Sequence, residues 1–152
     1  AISELQLFME YFPDSNRKTE AQLMIFNLQD KLVMKDYLTA KLYYDLGTYT
    51  GNASYTADMR INGNNFLACI TTAQNALKDY PYTSMREDIS ILLLRAKYKL
   101  GSESVLDKKE ERMRETIDEY YAFKNEFPES KYMKEVEAIY KDASKYVKEL
   151  NE

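Results

Sequence analysis

Histidine is absent from the sequence, and cysteine occurs once, as Cys69. The chain therefore lacks the commonest general base and the commonest metal ligand. A single cysteine also excludes an intramolecular disulfide and a cysteine-rich zinc site. We predict no cofactor and no metal, and we interpret Cys69 as a buried packing residue, because a free cysteine behaves mostly as a small hydrophobe. Carboxylate pairs such as Glu110 and Glu111 lie in a strongly charged stretch with no sign of a pocket, so the sequence does not favour an enzyme.

Long apolar runs and an excess of basic charge are missing too. No run of about 18 apolar residues occurs, so no segment is predicted to span a membrane. The formal net charge is −4 and the isoelectric point is about 5.1, whereas a nucleic-acid-binding protein would usually present a basic surface. The 152 residues, 45% of them hydrophobic, suit one globular domain of ordinary size.

Glycine and proline are scarce, with four and three copies, and the three prolines mark an internal repeat. Each proline follows an aromatic residue and precedes a hydroxyl residue by two positions, giving Phe12-Pro13 with Ser15, Tyr80-Pro81 with Thr83, and Phe127-Pro128 with Ser130. Eleven residues before each proline stands an isoleucine: Ile2, Ile70 and Ile117. Because proline cannot continue a helical hydrogen-bond ladder, each one is predicted to end a helix.

The spacing of the prolines predicts the class of repeat. Pro81 follows Pro13 by 68 residues, or twice 34, and Pro128 follows Pro81 by 47, or 34 plus an insertion around 101–112. Thirty-four residues is the length of the tetratricopeptide repeat, a helix–turn–helix unit that covers its apolar face only by stacking on its neighbours. We therefore predict an all-α, tetratricopeptide-like helical repeat solenoid of about six or seven helices with a C-terminal capping helix.

Within this single domain, residues 1–152, we distinguish four parts. Residues 1–15 are predicted to be the end of a truncated repeat, so we expect the chain to begin inside a repeat. Residues 16–83 form a repeat with a long first helix and a loop over 48–63, residues 84–129 form another repeat, and 130–152 form the capping helix. The pattern leaves open whether 16–47 is one helix or a closely joined pair, ended in either case by Gly47.

Smaller signals predict local features along the chain. Ser84 to Glu87 and Ser104 to Asp107 have the spacing of capping boxes. Gly101 is predicted to end one helix, and the last helix is predicted to span 131–150. The sequon Asn52-Ala53-Ser54 is short and often fortuitous.

Three longer runs resemble the C-terminal half of the BamD family, tetratricopeptide lipoproteins of the outer-membrane protein assembly machine in Gram-negative bacteria. The runs are LQDKLVMKDYLTAKLYYDLGTY at 28–49, ITTAQNALKDYPYTSMREDISILLLRAKYKL at 70–100, and KKEERMRETIDEYYAFKNEFPESKYMKEVEAIYKDA at 108–143. The resemblance covers nearly the whole chain. Residues 50–64 depart from it, because they are longer than the turn typical of the family.

The resemblance implies a non-enzymatic scaffold at the periplasmic face of the outer membrane. Its partner would be a POTRA domain of the BamA-like barrel protein, bound through the C-terminal repeats. Unfolded outer-membrane proteins would bind N-terminal repeats that are missing here, and the membrane would be contacted only through an N-terminal lipid anchor that is likewise absent. The alternative function is a general peptide- or protein-binding repeat adaptor unrelated to outer-membrane assembly.

Polar and aromatic residues expected to stand off the core are the candidate contacts for a partner. Tyrosine and arginine are favoured at interfaces, and the candidates are Tyr43, Tyr44, Tyr49, Arg86, Arg95, Lys97 and Lys99. An alternative stays open for each group. Paired tyrosines at helical spacing also serve as core or groove filler, and the basic residues could simply mark an exposed helix end, where positive charge suits the helix dipole.

Overall fold

The computed structural model describes residues 1–49 and 64–147, and every regular element in these ranges is an α-helix. The helices are α1 (Ile2–Tyr11), α2 (Lys18–Leu46), α3 (Asn65–Asp79), α4 (Arg86–Ser102), α5 (Leu106–Glu126) and α6 (Met133–Ala143). The predicted all-α class is therefore confirmed. None of the described helices is long and apolar enough to cross a membrane.

The three proline turns share one geometry. The residue before each proline has φ of −128° or −129° and ψ between 62° and 66°, and its amide donates to the carbonyl four residues earlier; these residues are Phe12, Tyr80 and Phe127. The hydroxyl oxygen two residues after each proline then accepts the amide N–H of Arg17, Met85 or Tyr132, at 3.2, 3.2 and 3.0 Å. Since the free amide at the start of each following helix is satisfied in the same way, the three turns are structurally equivalent.

The second and third turns are also tied to an earlier helix by their hydroxyl groups. Thr83 Oγ1 donates to Asp30 Oδ1 of α2 at 3.0 Å, and Ser130 Oγ donates to Glu87 Oε1 of α4 at 2.6 Å. Each turn therefore satisfies its own backbone and fixes its position on the preceding unit.

Consecutive helices pack on one another, and α4 also contacts both α2 and α6. Two clusters of buried side chains result. One lies among α2, α3 and α4, and the other lies among α4, α5 and α6. Leu92, Leu93, Ala96 and Leu100 of α4 belong to the first cluster, whereas Ile91 and Leu94 belong to the second. This arrangement, in which one helix closes two successive cores, is that of a helical repeat.

Burial follows the repeat positions except at the start of the chain. The residues twelve, eight and five before Pro81 and Pro128 are all buried: Cys69, Ala73, Ala76, Thr116, Tyr120 and Phe123. The isoleucine eleven before the proline is buried in α3 (Ile70) and half-buried in α1 and α5 (Ile2 and Ile117). No residue of α1 is buried, because α2 is the one described helix that packs extensively on it.

Residues 18–46 form one helix of 29 residues, which settles the choice between one helix and two. Gly47 ends it, as predicted, with a positive φ of 53°. Its ψ of −116° differs from that of a left-handed helical cap, and its amide donates to the carbonyls of both Tyr43 and Tyr44 at 3.1 Å. Of the predicted loop over 48–63, residues 50–63 lie outside the described part of the chain, and so does the sequon.

Neither of the two predicted capping boxes forms. Ser84 does not form a capping box with Glu87, because its hydroxyl donates to Asp30 at 3.0 Å while Glu87 accepts from Ser130. Ser104 caps nothing, because its hydroxyl bonds the Leu100 carbonyl instead.

Gly101 does not end α4, which continues to Ser102. A Cβ at this glycine would lie 3.2 Å from Met113 Sδ. Gly101 therefore allows the close approach of α5 rather than stopping α4.

The last helix is shorter than predicted. It ends at Ala143 instead of near residue 150, and a turn follows in which the Tyr146 amide bonds the Ala143 carbonyl at 3.1 Å. Ser144 is suited to this exit because its hydroxyl donates to the Tyr140 carbonyl at 2.7 Å, a local bond that competes with the helical pattern. Residues 148–152 lie outside the described ranges.

Candidate partner-binding surface

Arg95, one of the predicted partner contacts, holds α4 to α6. Its guanidinium donates two hydrogen bonds of 2.6 Å to the Glu135 carboxylate and lies 5.4 Å from the centre of the Tyr132 ring. The hydrogen bonds raise the pKa of Arg95 and lower the pKa of Glu135. Nearby, Tyr98 donates to Asp142 Oδ2 at 2.6 Å, and this bond raises the pKa of the phenol and lowers that of the carboxyl group.

Arg86 and Lys97 hold α4 to α5. Arg86 forms a two-pronged ion pair with Glu126, in which Nη2 lies 3.3 Å from Oε2, and its Nη1 also donates to the Pro81 carbonyl at 3.2 Å. Lys97 Nζ lies 2.7 Å from Glu119 Oε2, and the two side chains are only 14% and 17% exposed. Three of the four predicted basic contacts are therefore bound to carboxylates of the chain's own helices.

Lys99 and Tyr49 remain open to a partner. Lys99 is exposed, and its side chain forms no hydrogen bond or salt bridge with another residue in the described ranges. Tyr49 is 64% exposed, and its carbonyl accepts a hydrogen bond of 2.8 Å from Asn65 Nδ2. The seven predicted residues thus do not form one surface.

Tyr43 and Tyr44 pack against the first core cluster. Tyr44 meets Phe66 edge to face, with ring centroids 5.7 Å apart, and burial raises the pKa of its phenol. These tyrosines follow the alternative interpretation, in which a tyrosine pair fills the space between helices.

A different surface, which the sequence analysis missed, lies along α2. Met34, Leu38, Leu42 and Leu46 follow one another at intervals of four residues and are 45%, 55%, 57% and 36% exposed. Residues four apart are neighbours on a helix surface, so these side chains form a continuous apolar ridge, which we call the α2 ridge. The residues that α2 buries in the first cluster, Val33 and Ala40, lie on the opposite side of the helix.

Positive charge accompanies the α2 ridge. The exposed charged residues between 31 and 46 are Lys31, Lys35, Lys41 and Asp45. Lys41 Nζ pairs with Asp45 Oδ2 at 2.8 Å, and this hydrogen bond raises the pKa of the lysine. Lys31 and Lys35 form no salt bridge with a described residue, so this face carries a net positive charge on a chain whose formal net charge is −4.

Two clefts lie beside the proline turns, one lined by residues 79–84 with Asp30 and the other by residues 127–131 with Glu87. The carboxylates of Asp30 and Glu87 accept hydrogen bonds from the hydroxyl groups of Thr83 and Ser130 in these turns. Burial raises the pKa of the Cys69 thiol to about 12, which suits a packing role. No group of three or more potential metal ligands occurs among residues 1–49 and 64–147.

No family model matches the sequence, and neither does any curated protein.

Proposed function

We propose that the chain is a non-enzymatic scaffold that binds a partner protein through its stacked helices. The observation that carries this proposal is the α2 ridge, a line of aliphatic side chains that the described residues leave exposed, on a helix whose opposite side buries Val33 and Ala40. Contiguous exposed apolar patches mark interaction sites, whereas hydrophobic residues exposed singly are ordinary. The carboxylates beside the proline turns, by contrast, serve to hold the helices together.

We further propose that this scaffold works at the periplasmic face of the outer membrane, in the assembly of β-barrel proteins, and docks a POTRA domain of a BamA-like protein. Support for this more specific role comes from the three runs at 28–49, 70–100 and 108–143 that resemble the BamD family. The resemblance also implies a lipid anchor that would hold this scaffold at the membrane. The contact would fall on the surface formed by α2 to α6, since these helices include the three resembling runs.

The test is a calorimetric titration of the chain with the POTRA domains of the BamA-like protein from the same organism. We expect saturable binding with a Kd of about 10 μM or tighter, equivalent to about 7 kcal/mol. A periplasmic domain of similar size and charge but a different fold serves as the control and should not bind.

Absence of binding at about 100 μM, roughly tenfold above that Kd, would contradict the assembly role. The more general alternative, an adaptor unrelated to outer-membrane assembly, would then stand, because the α2 ridge favours protein binding whatever the partner is.

A further inference from the structure

Aliphatic side chains are distributed unequally over the exposed faces of this protein. Among the described residues, α2 carries eight of the eighteen large hydrophobic side chains that are exposed, whereas α4 carries none. On α4 the side chains that are not buried are mostly charged and bound to neighbouring helices, as Arg86, Arg95 and Lys97 are. The outer face of α4 is therefore covered by paired charged side chains, whereas the outer face of α2 presents aliphatic ones.

The α2 ridge has the dimensions of a helix-binding surface. Thirteen residues from Met34 to Leu46 rise by about 18 Å, or three to four helical turns. A partner helix of similar length, with aliphatic residues at intervals of three and four, would cover all four ridge side chains. Each ridge residue keeps between 36% and 57% of its surface exposed, so each would lose apolar surface to water on docking.

The charged residues beside the α2 ridge indicate which kind of partner helix would bind. Lys31 and Lys35 lie on the exposed side of α2, next to the ridge and free of ion pairs with described residues, and the Lys41–Asp45 pair beside them is neutral as a unit. A partner with acidic residues beside its apolar stripe would meet opposite charge, whereas a basic partner would meet like charge. We propose that the α2 ridge docks an acidic amphipathic helix of a partner protein.

This inference rests on the proposed scaffold function but not on the outer-membrane role, and the experiment separates the two. The probe is a fluorescein-labelled helical peptide of 18 residues with leucines at helical spacing and glutamates beside them. A second peptide has the same leucines with lysine in place of every glutamate. Binding to the intact chain is followed by fluorescence anisotropy and needs no POTRA domain, so failure of the titration above leaves this result interpretable.

We expect the acidic peptide to bind at least about tenfold more tightly than the basic one, with an affinity that weakens as salt is added because exposed charges are screened. The double variant Leu38→Ser/Leu42→Ser should weaken binding at least about tenfold, since it removes two of the four aliphatic side chains that would be buried against the partner helix. The matched control is Leu67→Ser on α3, a leucine that is 46% exposed but lies outside the ridge. It should leave binding unchanged.

A charge-reversed variant tests the selection directly. Lys31→Glu/Lys35→Glu should reverse the preference, so that the basic peptide binds more tightly than the acidic one. Lys108→Glu/Lys141→Glu makes the same change in net charge at exposed lysines on other helices and should not reverse it. Circular dichroism at 222 nm checks that all variants keep their helical content.

Five outcomes would overturn the proposal, four of them measured with the peptides or by sedimentation and the fifth with lipid vesicles. The first four are equal affinity for the two peptides, no binding of either below about 1 mM, insensitivity of binding to the ridge substitutions, and a concentration-dependent dimer in sedimentation velocity that Leu42→Ser dissociates. The fourth outcome would make a second copy of this chain the occupant. In the fifth outcome, the wild-type chain binds anionic phospholipid vesicles in preference to the acidic peptide, and the ridge variant does not bind the vesicles. The occupant of the ridge would then be a lipid surface instead of a protein.

Discussion

Lys97 and Lys99 lie two residues apart on α4, and the structure predicts opposite consequences for the same substitution at the two sites. Lys97 Nζ is 2.7 Å from Glu119 Oε2, and both side chains are largely covered. Lys99 is exposed and forms no ion pair with a described residue. We therefore expect Lys97→Met to destabilise the protein clearly and Lys99→Met to change its stability little.

The loss of stability in Lys97→Met can be estimated from the interaction that the substitution removes. Methionine keeps most of the aliphatic stem of Lys97 but removes the ammonium group, so the Glu119 carboxylate stays largely buried without its charged partner. A hydrogen bond between charged groups contributes about 1.5–3 kcal/mol, and we take the lower part of this range, about 1.5–2 kcal/mol, because some water reaches both side chains. For a chain of this size the thermal midpoint should fall by about 4–6 °C. Lys99→Met should stay within about 0.5 kcal/mol of the wild type.

Urea unfolding followed by circular dichroism at 222 nm measures both variants under the same conditions. The double variant Lys97→Met/Glu119→Leu completes the test, because replacing both members of a covered ion pair by apolar residues removes the stranded charge. It should recover at least half of the stability lost in Lys97→Met. Equal effects of Lys97→Met and Lys99→Met, or a double variant less stable than Lys97→Met, would refute the view that Lys97 serves the fold.

Acidification, a glycine substitution and a thiol reagent give three further tests. Because the hydrogen bond from Arg95 lowers the pKa of Glu135, this pair stabilises the fold above the carboxyl group's ordinary pKa and loses its effect as the pH falls through the lowered value. The unfolding midpoints of wild type and Glu135→Gln should therefore converge as the pH falls below the ordinary glutamate pKa of about 4.3. Gly47→Ala should cost about 1–2 kcal/mol in urea unfolding, because φ is 53° there and the new Cβ would lie 3.1 Å from Phe66 Cζ; a stability within error of the wild type would contradict this. Cys69 should react with Ellman's reagent at pH 8 only after urea is added, because it is fully buried and its pKa is raised to about 12; rapid reaction of the native chain would argue against that burial.

The sequence predicted the helical class well because the residues that end and begin its helices act on nearby backbone groups. Proline blocks helix propagation wherever it stands, and the aromatic residue before it and the hydroxyl after it act on backbone groups within four positions. Pro13, Pro81 and Pro128 could therefore be interpreted without knowledge of distant contacts. The capping box at Ser84 failed for the opposite reason, whereas Ser104 bonds the carbonyl of Leu100, only four residues earlier. Ser84 has an acceptor 54 residues away, in Asp30, and no local pattern announces a partner at that distance.

Two of the candidate contacts, Arg95 and Lys97, also bond residues that are distant in the sequence. Arg95 and Lys97 are polar residues on a helix with a broad apolar face, and this much the sequence shows. Their carboxylate partners stand 40 and 22 residues further along the chain, and only the stacking of α4 against α5 and α6 brings them together. A basic residue on a repeat helix therefore has to be tested against acidic residues of the neighbouring helices before it is assigned to an interface.

The exposed ridge escaped detection because α2 is apolar on more than one side. A helix that buries one face shows a single stripe in its sequence, but α2 buries Ala21 and Ile25 in its first half and Val33 and Ala40 in its second. Together with the ridge leucines, these residues produce apolar positions nearly all around the helix, a pattern that resembles a fully buried helix. The structure separates the three sets of apolar residues. Ala21 and Ile25 are buried, Val33 and Ala40 are buried, and the α2 ridge is exposed. The ridge is thus the apolar face of α2 that the other described helices leave exposed, and our proposal places the partner on this face.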